Sequence, residues 1–326
     1  MALAAIVAGC VRQPLPDPDP AVDTTPAQPA RVDAFLEAHY RSVPMLSGQD
    51  GLRRYVKIAI NGRRGLLLVD TGAQHAVLFE DAIAKFGITD TDKRGAVYTG
   101  VAGTVRSGWA TFDSFTIGDK IAVQPGDFRI VRQSAGTEID GLLGLDILTH
   151  LRAVVDLRSN RLWFLDPATR LPEHLSSVAD KAAMKSVGLR RLFGSDFVNV
   201  RLDGYTYRCV VDTGAPTWLV AEEAADDLRL PRARMQKSIG GIGSGKVDGY
   251  VAATNGRAVV DNKLTLPRSL VAVADHGDEY PISNYGGLFG CSILTDNGAQ
   301  IDIGNGRIYF PHQALRTRFA VPAGVE

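Results

Sequence analysis

The chain has 326 residues, a hydrophobic content of 45% and 36 basic against 36 acidic residues. This length holds one large or two smaller domains, and the composition is that of a globular protein with a buried core. A formal net charge of zero creates no long-range field that would attract nucleic acid, so we expect no nucleic-acid partner. The sequence has no apolar run long enough for a transmembrane helix. The six histidines show no metal-ligand spacing, so we expect no metal and no other cofactor.

Residues 1–10 form an apolar segment that ends in Val7-Ala8-Gly9-Cys10. This ending resembles a bacterial lipobox, in which the cysteine becomes lipid-modified. The segment departs from a secretory signal peptide because it is short and has no Lys or Arg before the apolar run. The resemblance implies lipidation at Cys10 and a periplasmic protein held to a bacterial membrane by a lipid anchor. The alternative interpretation is a frayed apolar terminus.

Residues 11–30 follow as a proline-rich segment, with Pro at positions 14, 16, 18, 20, 26 and 29. Such density favours extended polyproline II and excludes a packed core, which predicts a tether. Residues 31–51 then contain a short predicted helix over 31–42 and a lead-in to the first folded unit. The apolar residues of that helix recur with helical spacing and share one face: Val32, Phe35, Leu36 and Tyr40.

The tripeptide Asp-Thr-Gly occurs twice, at 70–72 and at 212–214, each time after an apolar run and before an alanine. The two aspartates are 142 residues apart (212 − 70). The same shift aligns apolar and glycine positions on both sides of the tripeptides, and a fixed-period repeat indicates repeated structural units. Each copy also has a later apolar-Gly signature, at 141–144 and at 287–290.

The repeat predicts two units at 52–165 and 194–311, joined by a linker at 166–193 and followed by a C-terminal tail at 312–326. Residues 166–188 of the linker show no strand alternation and are expected to be partly helical, and the tail is expected to lie on the surface. Within the first unit, Tyr55–Ile60 alternates like a half-buried strand, and Asn61-Gly62 indicates a hairpin turn. The return strand over 65–69 would deliver Asp70 at its end, and Glu80–Phe86 is expected to form one or two helical turns.

A strand that ends in Asp-Thr-Gly, followed later by an apolar-apolar-Gly signature, resembles the aspartic peptidases, in both their pepsin-like and retropepsin-like branches. The resemblance implies an all-β fold of two pseudo-twofold-related β-barrel units with the active site between them. It makes Asp70 and Asp212 the catalytic residues. The remaining residues of the two tripeptides would support the active-site loops, with the two threonines bracing the loops against each other by hydrogen bonds: Thr71, Gly72, Thr213 and Gly214.

Two glycine-punctuated segments, at 98–108 and 239–249, resemble the flap hairpins of this family, and the presence of two flaps is the retropepsin pattern. The implied flap and substrate-binding residues are Tyr98, Gly100, Val101, Gly103, Gly241, Ile242, Gly243 and Gly245. Ala73 and Ala215 stand where pepsins commonly have a hydroxyl residue. By resemblance, this replacement favours an aspartate pair that titrates nearer neutrality than that of pepsin.

Two carboxyl groups held a few ångströms apart do not both ionise cheaply, so the pair keeps one proton over a wide acidic range. The ionised member can remove a proton from a bound water, and the protonated member can donate to the peptide carbonyl. Asp-Thr-Gly can also be an ordinary turn, because Asp and Gly are common turn formers. Two copies within matched repeats favour the catalytic interpretation.

Cys209 and Cys291 both align with apolar residues of the first repeat, which favours small buried side chains. A disulfide between them is the alternative in an oxidising compartment.

The sequence therefore predicts an aspartic-type endopeptidase that is a monomer and hydrolyses a peptide or an unfolded protein segment. One alternative is a catalytically silent peptide-binding module with the same fold, and another is a structural envelope lipoprotein.

Overall fold

The computed structural model describes residues 27–92, 97–100, 103–123, 127–132, 139–166, 168–171, 173–231, 236–239, 247–275 and 284–319. The lipobox segment with Cys10 and most of the proline-rich tether lie outside these residues. Among the described helices, none has the length and apolar character needed to span a bilayer.

The first half of the chain forms fourteen strands and three helices among its described residues. In chain order they are α1 (Pro29–His39), β1 (Tyr40–Pro44), β2 (Leu46–Ser47), β3 (Arg54–Ile60), β4 (Arg63–Val69), β5 (Val77–Phe79), α2 (Glu80–Phe86), β6 (Thr91–Asp92), β7 (Val97–Gly100), β8 (Gly103–Thr111), β9 (Phe115–Ile117), β10 (Ile121–Val123), β11 (Asp127–Val131), β12 (Gly141–Leu143), α3 (Leu145–His150), β13 (Val154–Asp156) and β14 (Arg161–Leu165).

The second half continues with α4 (Leu175–Lys181), β15 (Lys185–Gly188), β16 (Arg190–Leu192), β17 (Ser195–Leu202), β18 (Tyr205–Val211), β19 (Leu219–Ala221), α5 (Glu222–Asp227), β20 (Gln236–Ile239), β21 (Val247–Ala253), β22 (Ala258–Val260), β23 (Leu264–Leu266), β24 (Leu270–Ala274), β25 (Tyr285–Phe289), α6 (Cys291–Leu294), β26 (Gln300–Asp302) and β27 (Arg307–Phe310). The helices are short and the sheets carry the architecture, so the fold is all-β, as the sequence predicts.

Two large sheets have the same order of strands. The first runs β10-β9-β3-β4-β12-β5-β11-β8-β6, with β2 beside β3 and β7 beside β8. The second runs β23-β22-β17-β18-β25-β19-β24-β21-β20, with β16 beside β17. In both sheets the strand before the Asp-Thr-Gly loop lies parallel to the strand of the apolar-Gly signature. We call the part of the chain that forms the first sheet the first unit and the part that forms the second sheet the second unit.

Matched turns close the hairpins that lead to the two Asp-Thr-Gly loops. The β3–β4 turn has Asn61 and Gly62 at φ values of 51° and 73°, and the β17–β18 turn has Asp203 and Gly204 at 47° and 84°. Positive φ at both central residues is the type I′ arrangement, whose twist suits a two-residue hairpin and for which Asn-Gly and Asp-Gly are favoured. The local sequence therefore sets the strand register in both units.

A third sheet of six strands joins the two units, in the order β1-β14-β13-β26-β27-β15. Its central pair, β13 with β26, brings one strand from each half of the chain into antiparallel contact. Helices α1 and α4 pack on this sheet through an apolar cluster that includes Val32, Leu36, Trp163 and Val178. The larger core cluster draws residues from both halves of the chain, so the units form one packed body.

The segment predicted as a linker, 166–193, contains helix α4 and, at its C-terminal end, strands β15 and β16, which the sequence does not show. Residues of β15 pair with β27, and Val187 is fully buried. Strand β16 pairs with β17 of the second unit. Strand β15 has a single fully buried side chain, and its partner strand β27 lies about 120 residues later in the chain. The local sequence therefore has no apolar alternation that would predict this strand.

Two other predicted boundaries differ from the structure. The first helix ends at His39 rather than 42, because Tyr40 pairs with Leu165 at the edge of the six-stranded sheet. The C-terminal tail does not simply lie on the surface. Leu315 is 3% exposed, and the backbone N–H of Arg316 donates to the Asn297 side chain.

Candidate active site

The two aspartates of the repeated tripeptide follow the ends of matched strands. Asp70 follows β4, and its backbone N–H donates to the Leu143 carbonyl of the neighbouring signature strand at 3.1 Å. Asp212 follows β18, and its N–H donates to the Phe289 carbonyl at 3.2 Å. Each aspartate is therefore fixed by the parallel strand pair of its own unit, and the two units bring the side chains together.

Backbone N–H groups of its own loop donate hydrogen bonds to each of the two carboxylates. In each loop the aspartate Oδ1 accepts hydrogen bonds from the residues two and three places later, at 2.9 and 3.1 Å for Asp70 and at 2.7 and 2.9 Å for Asp212. The donors are the glycine and the alanine that follow each Asp-Thr pair. Because both donors use Oδ1, the Oδ2 atom of each carboxylate takes none of these bonds.

The glycines are required by the close approach of the two loops. A Cβ atom on Gly72 would lie 2.5 Å from Cγ of Asp212, and a Cβ atom on Gly214 would lie 2.6 Å from Cγ of Asp70. Real Cβ contacts are not this short, so any side chain at either glycine would push the carboxylates apart. Each loop thus leaves room for the catalytic candidate of the other.

The two threonines join the loops by a reciprocal set of buried hydrogen bonds. The Thr71 hydroxyl donates to the Val211 carbonyl at 2.7 Å and accepts the N–H of Thr213 at 3.0 Å. The Thr213 hydroxyl donates to the Val69 carbonyl at 2.7 Å and accepts the N–H of Thr71 at 3.1 Å. Both threonines are fully buried. This is the arrangement that the family resemblance implied for these two residues.

The environment raises the pKa of both aspartates. Burial raises the pKa of Asp70 well above its ordinary value, and the neighbouring Asp212 charge adds to this shift. Burial also raises the pKa of Asp212, against the opposing effect of the N–H donors of its loop and of the hydrogen bond from Asp70. The two carboxyl groups interact with each other, so their proton equilibria are those of a pair rather than of two independent groups.

The apolar-Gly signatures hold the far end of each loop. A Cβ atom on Gly144 would lie 2.4 Å from the backbone of His75, and one on Gly290 would lie 2.1 Å from the carbonyl oxygen of Thr217. The residue after each of these glycines donates its N–H to the carbonyl of the alanine after the tripeptide, at 2.8 Å in both units. The backbone of the signature therefore packs directly on the Asp-Thr-Gly loop.

Sequence reasoning missed a second pair of supports in the residues that follow the signatures. The Asp146 carboxylate accepts the N–H of Ala76 at 2.9 Å, and the Ser292 hydroxyl accepts the N–H of Trp218 at 3.0 Å. The signal was available, because the shift of 146 residues (292 − 146) that aligns the signatures pairs these two polar positions.

The units also brace each other outside the loops. The Thr295 hydroxyl of the second unit donates to the Leu52 carbonyl of the first at 2.9 Å. At the matched position of the first unit, the Thr149 hydroxyl accepts a hydrogen bond from Arg191 of the second unit at 2.9 Å. Thr149 and Thr295 occupy matched positions of the Ile-Leu-Thr sequence that follows each signature. In each unit, a residue shortly before the hairpin that leads to the Asp-Thr-Gly loop is thereby hydrogen-bonded to the Ile-Leu-Thr sequence of the other unit.

The first flap-like segment forms a hairpin of β7 and β8, with Tyr98 opposite Val105 and Gly100 opposite Gly103. Tyr98 and Val105 pack on an apolar cluster that includes Ala73, next to Asp70. The hairpin therefore rests against the active-site loop of its own unit. Val101, at the tip, lies outside the described residues.

The second flap-like segment is described only in its two strands, where β20 pairs with β21 from Gln236 opposite Tyr250 to Ile239 opposite Val247. The predicted substrate-binding residues of this hairpin lie outside the described residues: Gly241, Ile242, Gly243 and Gly245. Their role stays a prediction.

Both cysteines of the described chain are free and buried. The Cys291 thiol donates to the Thr213 carbonyl at 3.1 Å, beneath the second active-site loop. Burial raises the pKa of each thiol to about 12, so both stay protonated at neutral pH. The structure therefore favours the small buried side chains over the disulfide. Within the described ranges, no cluster of three or more His, Cys, Asp or Glu side chains could hold a metal ion.

Comparison with known proteins gives a partial match. Residues 56–147 match the family model described as aspartyl protease, so this part of the chain is aspartyl-protease-like. The UBA domain-containing protein Mud1 of Schizosaccharomyces pombe is 35% identical over 111 residues, which cover 33% of this chain and 32% of that protein.

Two proteins named DNA damage-inducible protein 1 match over a similar stretch. The protein of Kluyveromyces lactis is 33% identical over 123 residues, covering 36% of this chain and 28% of that protein. The protein of Neurospora crassa is 33% identical over 110 residues, covering 33% and 24%. The chain thus spans between a quarter and a third of the length of these curated relatives.

Proposed function

We propose that this chain is an aspartic-type endopeptidase that hydrolyses peptide bonds with a water molecule activated between Asp70 and Asp212. The observation that carries the proposal is the mutual placement of the two carboxyl groups. Each lies against the glycine of the opposite loop, and each changes the pKa of the other. The aspartyl-protease-like match of residues 56–147 supports the same conclusion for the first unit.

The geometry assigns separate work to the two oxygens of each carboxylate. Oδ1 is held by two backbone N–H donors, so we assign the proton transfers to Oδ2. With one proton on the pair, the ionised carboxylate removes a proton from water while the protonated one donates to the carbonyl oxygen of the scissile bond. Burial and the neighbouring charge keep that proton on the pair at a pH where an isolated aspartate would lose it.

The proposed substrate is an extended peptide or an unfolded protein segment that crosses both units beneath the hairpins. Tyr98 supports this placement, because its side chain packs over the cluster next to Asp70. We also propose that the chain acts as a monomer, because it supplies both aspartates itself. A size-exclusion experiment in which activity eluted only with a dimer would contradict the monomer proposal.

A single assay tests the proposed activity. Casein and a peptide library are incubated with the protein across a pH series, with and without a pepstatin-type inhibitor and with and without EDTA. We expect cleavage that the inhibitor blocks and that EDTA leaves unchanged. Peptide binding without cleavage at any pH would instead favour the silent peptide-binding module. Cleavage that EDTA abolished would assign the reaction to a metal.

A further inference from the structure

Four side chains form a polar and aromatic cluster beside the first active-site loop, which we call the outer cluster: His75, Trp109, Arg129 and Asp146. The Arg129 guanidinium carbon lies 4.2 Å from the centre of the Trp109 ring. The His75 ring meets the same indole edge-on, with ring centres 6.3 Å apart. Nδ1 of His75 lies 3.5 Å from a carboxylate oxygen of Asp146.

The outer cluster lies on the same face of the sheet as the residues that pack the first hairpin against the active-site loop. Successive side chains of a strand alternate between its faces, so Val105 and Trp109 of β8 lie on one face. Val105 packs on the apolar cluster that contains Ala73, next to Asp70. Trp109 is paired across the sheet with Arg129 of β11. The face therefore runs outward from the active-site loop to the outer cluster, where the His75 side chain is 41% exposed.

The matched positions of the second unit carry no charge. The register pairs Arg129 with Trp109 in the first sheet and Ala272 with Val251 in the second. His75 and Asp146 are matched by Thr217 and Ser292. The hydroxyl of Ser292 accepts a backbone N–H as the Asp146 carboxylate does, so the backbone support is kept without the charge.

Arg129 has donors to spare. Within the described part of the chain its side chain forms no ion pair and one hydrogen bond, from Nη1 to the Ser107 hydroxyl at 3.2 Å. Its Nε is buried without a hydrogen-bond partner among these residues. Asp146 is less available as a counter-charge, because its carboxylate already accepts backbone N–H groups of Ala76 and Ile147. A stacked guanidinium with free N–H groups is suited to a carboxylate.

We infer that the outer cluster binds the carboxylate of an acidic side chain in the peptide substrate, at one position on one side of the scissile bond. Arg129 donates hydrogen bonds to the carboxylate. Trp109 keeps the guanidinium group in place by stacking against it, and His75 lies beside the bound carboxylate. The inference rests on the proposed function, since it names a preference of the same cleft. A basic side chain at that position would meet the charge of Arg129 and be disfavoured.

The test uses a fluorogenic peptide that the protein cleaves, in which each of four residues on either side of the scissile bond is set in turn to Glu, Gln or Lys. The measured quantity is the ratio of kcat/KM for the Glu and Gln peptides within one variant. This ratio is insensitive to a uniform loss of folded protein. The variants are the wild type, Arg129→Gln, Arg129→Lys and, as matched control, Arg64→Gln, which removes an exposed arginine of the same unit.

We expect a Glu over Gln preference of about fivefold to tenfold at one position in the wild type, the size of a partly exposed charge-assisted contact. The preference should fall to about one in Arg129→Gln, survive in part in Arg129→Lys and be unchanged in Arg64→Gln. A ratio near one at every position of the wild type, or a preference that Arg129→Gln retained, would overturn the inference and leave the proposed function standing.

Failure of the proposed function would look different, because no peptide would be cleaved. In that case the same peptides, fluorescently labelled, are titrated against the wild type and Arg129→Gln in an anisotropy assay. Tighter binding of the Glu peptide by the wild type alone would support the outer cluster as an acidic-residue site. Equal binding of the Glu and Gln peptides would overturn it.

Discussion

The two threonines of the tripeptides carry the contact between the active-site loops. Thr71 and Thr213 each donate to a carbonyl and accept an N–H from the opposite loop, with both side chains fully buried. Their pairing followed from the repeat and the family resemblance, because the same residue occupies the same place in both copies. The Oδ1 bonds of the aspartates follow equally from the local turn, since the donors are the next residues in the chain.

We predict that Thr71→Val destabilises the protein, because it leaves the N–H of Thr213 and the Val211 carbonyl buried without partners. Each unsatisfied buried group costs about 1–3 kcal/mol. The free energy of unfolding from urea titration should fall by at least that amount. The control is Thr71→Ser, which keeps the hydroxyl and should lose much less. Equal losses in both variants would show that the methyl group, and not the hydrogen bonds, matters.

A shared proton predicts how the proposed activity depends on pH. In the proposed reaction the pair holds one proton, so we expect the rate to fall on the acid side as both carboxyl groups protonate and on the alkaline side as the last proton leaves. Because the pKa of Asp70 is raised well above its ordinary value of 3.8, the alkaline limb is displaced upward. We predict a bell-shaped profile of kcat/KM on the acid side of neutrality. A rate that rose steadily to high pH would contradict the shared proton.

At the scale of elements, the sequence predicted what local patterns determine. The β3–β4 hairpin, helix α2 and the first flap-like hairpin all have turn residues or alternation within a few positions. Strand β15 escaped prediction because its partner, β27, lies far along the chain. The six-stranded sheet was missed for the same reason, since it pairs strands that are far apart in the sequence.

We predict that helix α1 stabilises the fold by packing on the six-stranded sheet. Leu36 is fully buried in the cluster between α1, α4 and the six-stranded sheet. Leu36→Ala should lower the free energy of unfolding by about 2–4 kcal/mol, because it removes buried methyl groups and leaves a cavity. Glu37→Ala, on the exposed side of the same helix, should change stability by less than about 0.5 kcal/mol. Similar small effects of both variants would place α1 outside the cooperative fold.

At the scale of the whole molecule, the two units share a strand order and a loop geometry but differ in charge at the outer cluster and its matched positions. The repeat predicted the likeness, because matched residues recur at a constant spacing. It did not predict the difference. The members of the outer cluster are spread over positions 75 to 146 and meet only when β8, β11 and the first active-site loop are assembled.

The N-terminal anchor stays a prediction from the sequence, because Cys10 lies outside the described residues. If Cys10 is lipidated, the protein expressed with a basic n-region should fractionate with bacterial membranes, and Cys10→Ser should release it or leave it unprocessed. A tether of twenty residues in polyproline II would span about 60 Å, at about 3.1 Å per residue. Wild-type protein found wholly in the soluble fraction with an unmodified Cys10 would contradict the anchor.

The central claim is that Asp70 and Asp212 perform separate halves of one acid–base reaction. The most direct measurement is kcat on one cleaved peptide for the wild type, Asp70→Asn and Asp212→Asn, with folding of each variant checked by its urea transition. We predict that either single substitution lowers kcat by at least about 100-fold, the lower range of general acid–base catalysis. A folded variant that kept more than about a tenth of wild-type kcat would contradict the assignment, because one aspartate would then suffice.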